Sequence, residues 1–231
     1  MNKTIQLPPR LRAVSNMVRE GVTVADVGTD HAFLPVYLLL NGKISGAIAC
    51  DINIGPLQNA RENVIKYGVS DRIKLVLCNG LQKVGPDEAD DIVIAGMGGE
   101  LIAQIIDSTP WLCSENKHII MQPMTRANLL RKYLCENGFE ILKETVASEG
   151  DRVYSVLLAR FLGDNIHYDD LFLYTGKINP KDGKDSVMYL ERQARILREA
   201  ANGISKGGAE SEKAEQYLEI SQRIEQMLES E

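Results

Sequence analysis

Short apolar runs alternate with helix-like stretches between residues 7 and 137. The runs are rich in β-branched residues and end at glycine or a polar side chain, which is typical of buried strands. Gly42, Gly68 and Gly138 provide helix stops between them. Strands that alternate with helices in this way predict a parallel sheet built from βαβ units. The predicted strands are residues 23–27, 46–51, 73–78, 91–95 and 118–122, and the predicted helices are residues 7–18, 33–40, 57–67, 100–106 and 126–137.

The pattern changes after Gly138. Two strand-like runs, residues 139–147 and 152–161, are separated only by the polar residues 148–151. A connection this short predicts an antiparallel hairpin rather than a crossover. A parallel sheet of five strands closed by a hairpin, with an extra helix in front, is associated with class I methyltransferases that use S-adenosylmethionine. By this analogy at the level of the fold, we predict an α/β, Rossmann-like domain over residues 1–162.

The composition shifts again beyond Gly163. Residues 168–174 are rich in aromatic side chains and have no clear secondary structure, and residues 186–204 repeat apolar positions in steps of three and four. A second helix, residues 210–228, repeats the same steps, which is typical of helices that pack along a seam. The first seam is Val187, Leu190, Ala194, Leu197, Ala201 and Ile204, and the second is Tyr217, Ile220, Ile224 and Met227.

Glycines are expected to separate these two helices, because Gly203, Gly207 and Gly208 interrupt the first seam. Two short seams joined by a glycine turn predict an antiparallel helical hairpin as a second domain, residues 163–231. The alternative is a coiled coil between two chains. Because both seams are short and interrupted, we expect a monomer.

Composition narrows the class of protein. The chain has no apolar run of about 18 residues and no secretion signal, so neither a membrane nor export is indicated. The four cysteines form no C-x-x-C pair, and the three histidines are not at metal-ligand spacing. We therefore expect free thiols, a cytoplasmic protein and no metal site. The net charge of −6 argues against a protein coated with basic patches but allows a local basic face.

Polar and glycine residues follow the predicted strands at the edge where parallel strands end. Asp51 is placed to accept both ribose hydroxyls of a nucleoside ligand, and the amide of Asn79 can pair with adenine. The glycines after the fourth strand allow a flat ligand close to the backbone, and Met97 packs either on that ligand or in the core. The candidate cofactor-binding residues at these strand ends are Asp51, Asn79, Gly80, Gly96, Met97 and Gly98.

The loop after the first strand distinguishes between two kinds of cofactor. It contains Gly28 but lacks the second glycine of G-x-G-x-x-G, which lets the backbone approach a pyrophosphate. It also carries two acids, Asp26 and Asp30, which would repel a pyrophosphate and attract an ammonium or a sulfonium. The next residue, His31, has three possible roles: it donates a hydrogen bond to the ligand, caps a helix or is simply buried. The missing second glycine and the two acids predict a methyl-donor site rather than a dinucleotide site.

The motif D-x-G-x-D-H-A-x-L-P begins at Asp26, and I-A-G-M-G-G begins at Ile94. With these motifs the chain resembles the bacterial tRNA (adenine(22)-N1)-methyltransferases, and the helical hairpin extends the resemblance over essentially the whole chain. The matching segments are Arg10-Leu11, residues 25–35, residues 46–49 with Gly55-Pro56, residues 79–81, residues 94–99 and Gln122-Pro123. The chain departs from the family's pattern at three positions. Pro8 replaces the usual Ser or Thr, Asn79 replaces the usual Asp, and Met124 replaces the usual Asn.

The resemblance implies an enzyme that uses S-adenosylmethionine to methylate an extruded adenine in the D-loop region of tRNA. Adenine N1 carries an in-plane lone pair, so its methylation requires positioning and a negative field but no proton removal. We expect Asp30 to be the catalytic residue that supplies this field. The expected substrate-binding residues are Arg10, Gln122, Pro123, Arg192 and Arg195. The alternatives are a class I methyltransferase for another substrate, a nucleotide-binding oxidoreductase and a non-catalytic interaction module.

Overall fold

The computed structural model describes residues 5–206 and 212–229. Its strands are β1 Thr23–Val27, β2 Gly46–Asp51, β3 Ile73–Leu77, β4 Asp91–Gly98, β5 His118–Thr125, β6 Phe139–Glu149 and β7 Arg152–Phe161. They form one sheet in the order β3-β2-β1-β4-β5-β7-β6. The first five strands run parallel, and β7 runs antiparallel to both β5 and β6. The predicted parallel sheet with a closing hairpin is therefore confirmed.

Helices cover both faces of this sheet. They are α1 Pro9–Met17, α2 Phe33–Leu40, α3 Ile54–Tyr67, α4 Gly99–Asp107, α5 Ala127–Glu136, α6 Asp170–Thr175, α7 Lys184–Lys206 and α8 Glu212–Glu229. Alternate strand residues point to opposite faces. Ile92 accordingly packs in a cluster with Ile102 of α4 and Leu130 of α5, whereas Val93 packs in another cluster with Val14 of α1. No helix in the described part of the chain has the length and apolar character needed to cross a membrane.

The strands β4 and β5 continue past their predicted ends, to Gly98 and Thr125. The register between them shifts around Met97, which lies opposite Pro123. Proline has no N–H to donate to a sheet, and such an irregularity is one of the few places where a strand accepts it. The sequence pattern missed these extensions because a glycine-rich run and a proline both indicate that a strand has ended.

The two long helices pack against each other. Leu190 and Leu197 of α7 form one buried cluster with Ile220 and Ile224 of α8, and the Ser221 hydroxyl donates to a carbonyl of α7. Only five residues separate the ends of the two helices. Since five residues span at most about 18 Å, which is less than the length of either helix, the packed pair runs antiparallel. The predicted helical hairpin is confirmed.

Two predictions for this region are corrected. The helix α7 continues through Gly203 to Lys206, so the predicted break at Gly203 is wrong. A glycine inside a helix costs only about 1 kcal/mol relative to alanine, and the packed seam outweighs that cost. Gly207 and Gly208 lie outside the described residues. The aromatic-rich stretch without a clear assignment contains the short helix α6, which Asp169 caps by accepting from the backbone N–H of Phe172.

A buried ion pair joins the sheet to the C-terminal helices. The side chains of Arg131 on α5 and Glu144 on β6 are fully buried, and Arg131 Nε donates to Glu144 at 3.2 Å. Arg131 also donates to the carbonyl of Leu173 and to the hydroxyl of Tyr189. One arginine therefore contacts β6, α6 and α7 together. The division into domains between residues 162 and 163 stays a prediction.

Candidate functional site

A cavity of about 480 Å³ opens at the edge of the sheet where β1 and β4 end. It lies between the loop that follows β1 and the N-terminal part of α1 with the segment before it. Its volume falls within the range of sites for small molecules. The predicted site residues that line it are Arg10, Asp26, Gly28, Asp30, His31 and Gly96.

Gly28 turns the chain at the end of β1 and lies directly against Met97. Its φ is +72°, and a Cβ built on it would lie 2.3 Å from Met97 Cε. The positive φ favours glycine at this position, and any larger residue would also displace the end of the Met97 side chain. Asp30 and Ala32, in the same loop, also have positive φ values, 51° and 54°. Residues with side chains rarely adopt this conformation, which tends to occur at functional sites.

Asp26 is the more buried of the two loop acids. Its exposed fraction is 6%, and the Thr29 hydroxyl donates to its Oδ2 at 2.6 Å. Burial raises the pKa of Asp26 to about 6, the hydrogen bond from Thr29 lowers it, and the charge of Asp51 raises it. Within the described residues no arginine, lysine or histidine forms an ion pair with Asp26. A positively charged ligand would favour its ionised form.

Asp30 and His31 are at the open side of the cavity. The Asp30 side chain is 64% exposed, and its Oδ2 lies 3.5 Å from His31 Nε2. The His31 ring stacks on Phe33 with 5.1 Å between the ring centroids, and its backbone carbonyl accepts from the side-chain amide of Asn63. These contacts hold His31 in place, but its side chain is 40% exposed. The alternative of a buried histidine is therefore excluded. Its contact with a ligand stays a prediction.

Arg10 lies on the other wall of the cavity, next to Gly96. Its Nε is 3.4 Å from Oε2 of Glu149, while the other carboxylate oxygen accepts from the Arg10 backbone N–H at 3.1 Å. Its Nη1 donates to Oε1 of the buried Gln122 at 3.3 Å. Glu149 thus holds both the backbone of the first turn of α1 and the guanidinium of Arg10. Gln122 in turn donates to the carbonyl of Pro123, so these predicted substrate residues form one connected group.

Other predicted site residues lie at neighbouring strand ends, outside the lining of this cavity. Asp51 is buried and accepts from the backbone N–H of Asn53, and Asn79 is exposed after β3. Gly80 has a φ of +55°, and a Cβ there would lie 3.2 Å from Ile105. Gly98 caps α4. These residues extend from the cavity along the carboxyl edge of the sheet.

The two predicted arginines of α7 are in a different environment. Arg192 is partly buried, and its Nη1 donates to the backbone carbonyl of Val153 on β7 at 3.2 Å. Arg195, one turn later, is exposed. The helix packs on β6 and β7, and neither arginine lines the cavity. Their contact with substrate stays a prediction.

Sequence reasoning missed three side chains that shape the site. Thr29 and Phe33 are part of the recognised motif, but the pattern gave them no role. Glu149 falls in the predicted hairpin turn, for which the pattern indicates no contact. It contacts Arg10 across 139 residues of chain, and no local pattern indicates a partner that far away. Only the pairing of β6 with β7, which fixes where that turn lies, brings it to α1.

The donor set fits a small cation better than a pyrophosphate. Asp26 and Asp30 place two carboxylates at the cavity, whereas its arginine, Arg10, is already engaged by Glu149. A pyrophosphate site needs backbone N–H groups presented by a glycine-rich turn at a helix N-terminus. Here α2 follows Ala32, and the loop has no second glycine. The site can therefore bind an ammonium or a sulfonium and stabilise positive charge that develops nearby.

Comparisons with known proteins agree with this chemistry. Residues 7–157 match the family model described as "Methyltransferase domain". Over 230 residues the chain is 31% identical to the tRNA (adenine(22)-N(1))-methyltransferase of Bacillus subtilis strain 168, with 97% of each chain covered.

Solved structures extend the similarity to the C-terminal helices. The B. subtilis M1A22 tRNA methyltransferase TrmK has a TM-score of 0.82 and 31% identity, with 98% of this chain and 99% of that chain covered. M. capricolum TrmK in complex with S-adenosyl-homocysteine has a TM-score of 0.74 and 28% identity, with 97% of each chain covered.

Proposed function

Because the chain belongs to the family of tRNA (adenine(22)-N(1))-methyltransferases, we propose that it methylates tRNA with S-adenosylmethionine. The methyl group goes to N1 of an adenine in the D-loop region, which leaves its stacked surroundings to enter the site. The observation that carries this proposal is the cavity after β1, which presents the carboxylates of Asp26 and Asp30 and offers no pyrophosphate site. The similarity over 97% of the chain supports the same substrate.

S-adenosylmethionine supplies a methyl group on a positively charged sulfur. The buried carboxylate of Asp26 suits its ammonium group, and the carboxylate of Asp51 suits its ribose hydroxyls. The glycines permit a close approach of the backbone, and Met97 provides an apolar surface. We assign cofactor binding to Asp26, Gly28, Asp30, His31, Asp51, Asn79, Gly80, Gly96, Met97 and Gly98.

The chain's own contribution to the reaction is position and charge. Adenine N1 needs no base to remove a proton, and the methylated base is cationic. The exposed carboxylate of Asp30, held in a loop with positive φ, supplies a negative field for that charge. Arg10, fixed by Glu149 and Gln122, lies at the cavity and orients the nucleotide. Substrate contacts are assigned to Arg10, Gln122, Pro123, Arg192 and Arg195.

The test of function uses unmodified tRNA and cofactor labelled in its methyl group. Label should enter tRNA with adenine at the target position and should not enter the same tRNA with guanine there. Equal labelling of both would rule out adenine N1 as the acceptor. Labelling of neither would rule out the proposed function as a whole.

The role of Asp30 is tested by Asp30→Asn, with Asp87→Asn as the matched control. Asp87 is an exposed acid in the segment before β4, at the opposite edge of the sheet. Loss of a preorganised charge should lower kcat about 100-fold, while calorimetry with S-adenosylhomocysteine shows an affinity close to that of the unchanged protein. If Asp30→Asn turns over as fast as Asp87→Asn, the electrostatic role is wrong.

Assembly and location complete the proposal. The seam of α7 is already covered by α8 within one chain, which supports a monomer. Three of the four cysteines are buried and all four are free, which suits a reducing cytoplasm, where tRNA is modified. We propose a cytoplasmic monomer that requires no metal. Sedimentation of the purified protein tests the first part, and activity in the presence of a chelator tests the last.

A further inference from the structure

A second cavity of about 600 Å³ lies on the other face of α1. Arg10 and Leu11 line the first cavity, whereas Arg12 and Asn16 line the second one. Helical residues four positions apart share a face, so Arg12 and Asn16 lie on the same face of α1. The helix therefore separates the two cavities. We call the second space the α1–β6 groove. Its lining also includes residues 143 and 145–148 of β6 and the first two residues of α7.

Three exposed cations line this groove: Arg12 on α1, Lys143 on β6 and Lys184 at the start of α7. Among the described residues none of the three forms an ion pair, although arginines elsewhere in the chain are paired with carboxylates. The groove has one acid, Asp185, and its Oδ1 accepts from the Ser148 hydroxyl at 3.0 Å. A protein of net charge −6 therefore presents unpaired positive charge in one groove.

The groove and the first cavity share two walls. The helix α1 lies between them, and the end of β6 reaches both, because Ser148 lines the groove while Glu149 contacts Arg10. The acidic surface of the C-terminal pair lies elsewhere. Glu212, Glu215 and Glu219 line a depression on α8, and α8 packs on α6 and α7 rather than between α1 and β6. A polyanion would avoid that depression and favour the groove.

We infer that the α1–β6 groove binds the sugar-phosphate backbone of the tRNA beside the nucleotide that enters the first cavity. This inference rests on the proposed function. Phosphates are the groups that exposed arginine and lysine side chains recognise without reading sequence. A base that enters the cavity from the edge of α1 leaves its flanking backbone next to the other face of the same helix. Binding in the groove would thus orient the tRNA backbone relative to the first cavity.

The experiment measures binding of unmodified tRNA to Arg12→Glu, Lys143→Glu and Lys184→Glu at several salt concentrations. The matched control is Arg72→Glu, which makes the same charge change at an exposed site just before β3. Each groove variant should bind tRNA about tenfold more weakly than the control. Its plot of log affinity against log salt should have a slope smaller by about 1. Affinity for S-adenosylhomocysteine, which reports the folded cavity, should stay unchanged.

Two results separate this inference from the proposed function. If the unchanged protein methylates tRNA but all three groove variants bind it as tightly as Arg72→Glu, the groove assignment is overturned. If the unchanged protein does not methylate tRNA at all, the proposed function fails, whatever the variants bind. A loss of tRNA affinity with the same salt slope as the control would also count against phosphate contacts in the groove.

Discussion

Three glutamates of β6 pair with arginines, and the three pairs differ mainly in burial. Glu140 pairs with Arg160 at the surface, where the two side chains are 34% and 40% exposed. Glu144 pairs with Arg131 at 0% exposure on both sides. Glu149 pairs with Arg10 at the cavity, with 26% exposure on each. One strand thus carries the same chemical pair in three environments.

The comparison shows that burial decides what an ion pair does. In water the attraction is small and screened. In the interior both charges must stay paired, so the arginine fixes every element that contacts it. The partly exposed Arg10 lies between these limits. It is held by two partners but remains accessible to a ligand, which suits a residue of a site.

The first prediction removes the buried partner. The substitution Glu144→Ala leaves the Arg131 guanidinium without its carboxylate, and it should lower the free energy of unfolding by about 3–5 kcal/mol in a urea titration. The control Glu140→Ala breaks the surface pair on the same strand and should cost less than about 1 kcal/mol. Similar losses for both variants would mean that burial does not distinguish the pairs.

The second prediction separates site from scaffold. The substitution Arg10→Ala should lower kcat/KM for tRNA about 30-fold, or about 2 kcal/mol, because it removes a charged contact at the cavity. Its free energy of unfolding should change by less than about 1 kcal/mol. The variant Glu149→Gln should move kcat/KM in the same direction by a smaller factor. If Arg10→Ala instead loses stability and keeps its activity, Arg10 belongs to the scaffold.

The third prediction concerns Asp26, which is about as buried as Glu144 but lacks an arginine. Its pKa is raised from the ordinary value of 3.8 to about 6 in the folded chain, chiefly by burial. The folded state thus binds the proton of Asp26 more tightly than the unfolded state does. Protonated Asp26 therefore stabilises the fold. This stabilisation is complete below pH 3.8 and is lost as the pH rises through about 6.

A ligand with an ammonium group favours the ionised carboxylate. Affinity for S-adenosylhomocysteine should therefore increase about tenfold between about pH 5 and pH 7. Calorimetry at the two pH values measures this change. Asp26→Asn should abolish it, and Asp87→Asn should retain it. A ligand that binds Asp26→Asn with the same pH dependence would show that another group titrates.

The sequence predicted the regular part of the fold because its signals are local. Buried strands such as β1 and β2 follow from β-branched runs that end at glycine or an acid, and the seams of α7 and α8 follow from spacing. The extensions of β4 and β5 were missed, since a proline at position 123 indicates an end unless a register shift accommodates it. The continuation through Gly203 was missed because packing outweighs propensity.

The site could be predicted only in part, for the same reason. The loop acids Asp26 and Asp30 are only four positions apart in sequence, and their charge alone argues against a pyrophosphate. The partners Glu149 and Gln122 reach Arg10 across 139 and 112 residues. Likewise, nothing near Lys143 indicates that it shares a groove with Arg12 and Lys184. Long-range pairing of charges depends on topology, which periodicity does not encode.

The position of α1 between the cavity and the α1–β6 groove has a thermodynamic consequence. A ligand on one face of the helix that changes its position alters the other face as well. By reciprocity, tRNA would then change cofactor affinity by the same factor as the cofactor changes tRNA affinity. The anchor of that helix is Glu149, which binds both the backbone and the guanidinium of Arg10. The size of this coupling therefore depends on how firmly one carboxylate holds one turn of helix.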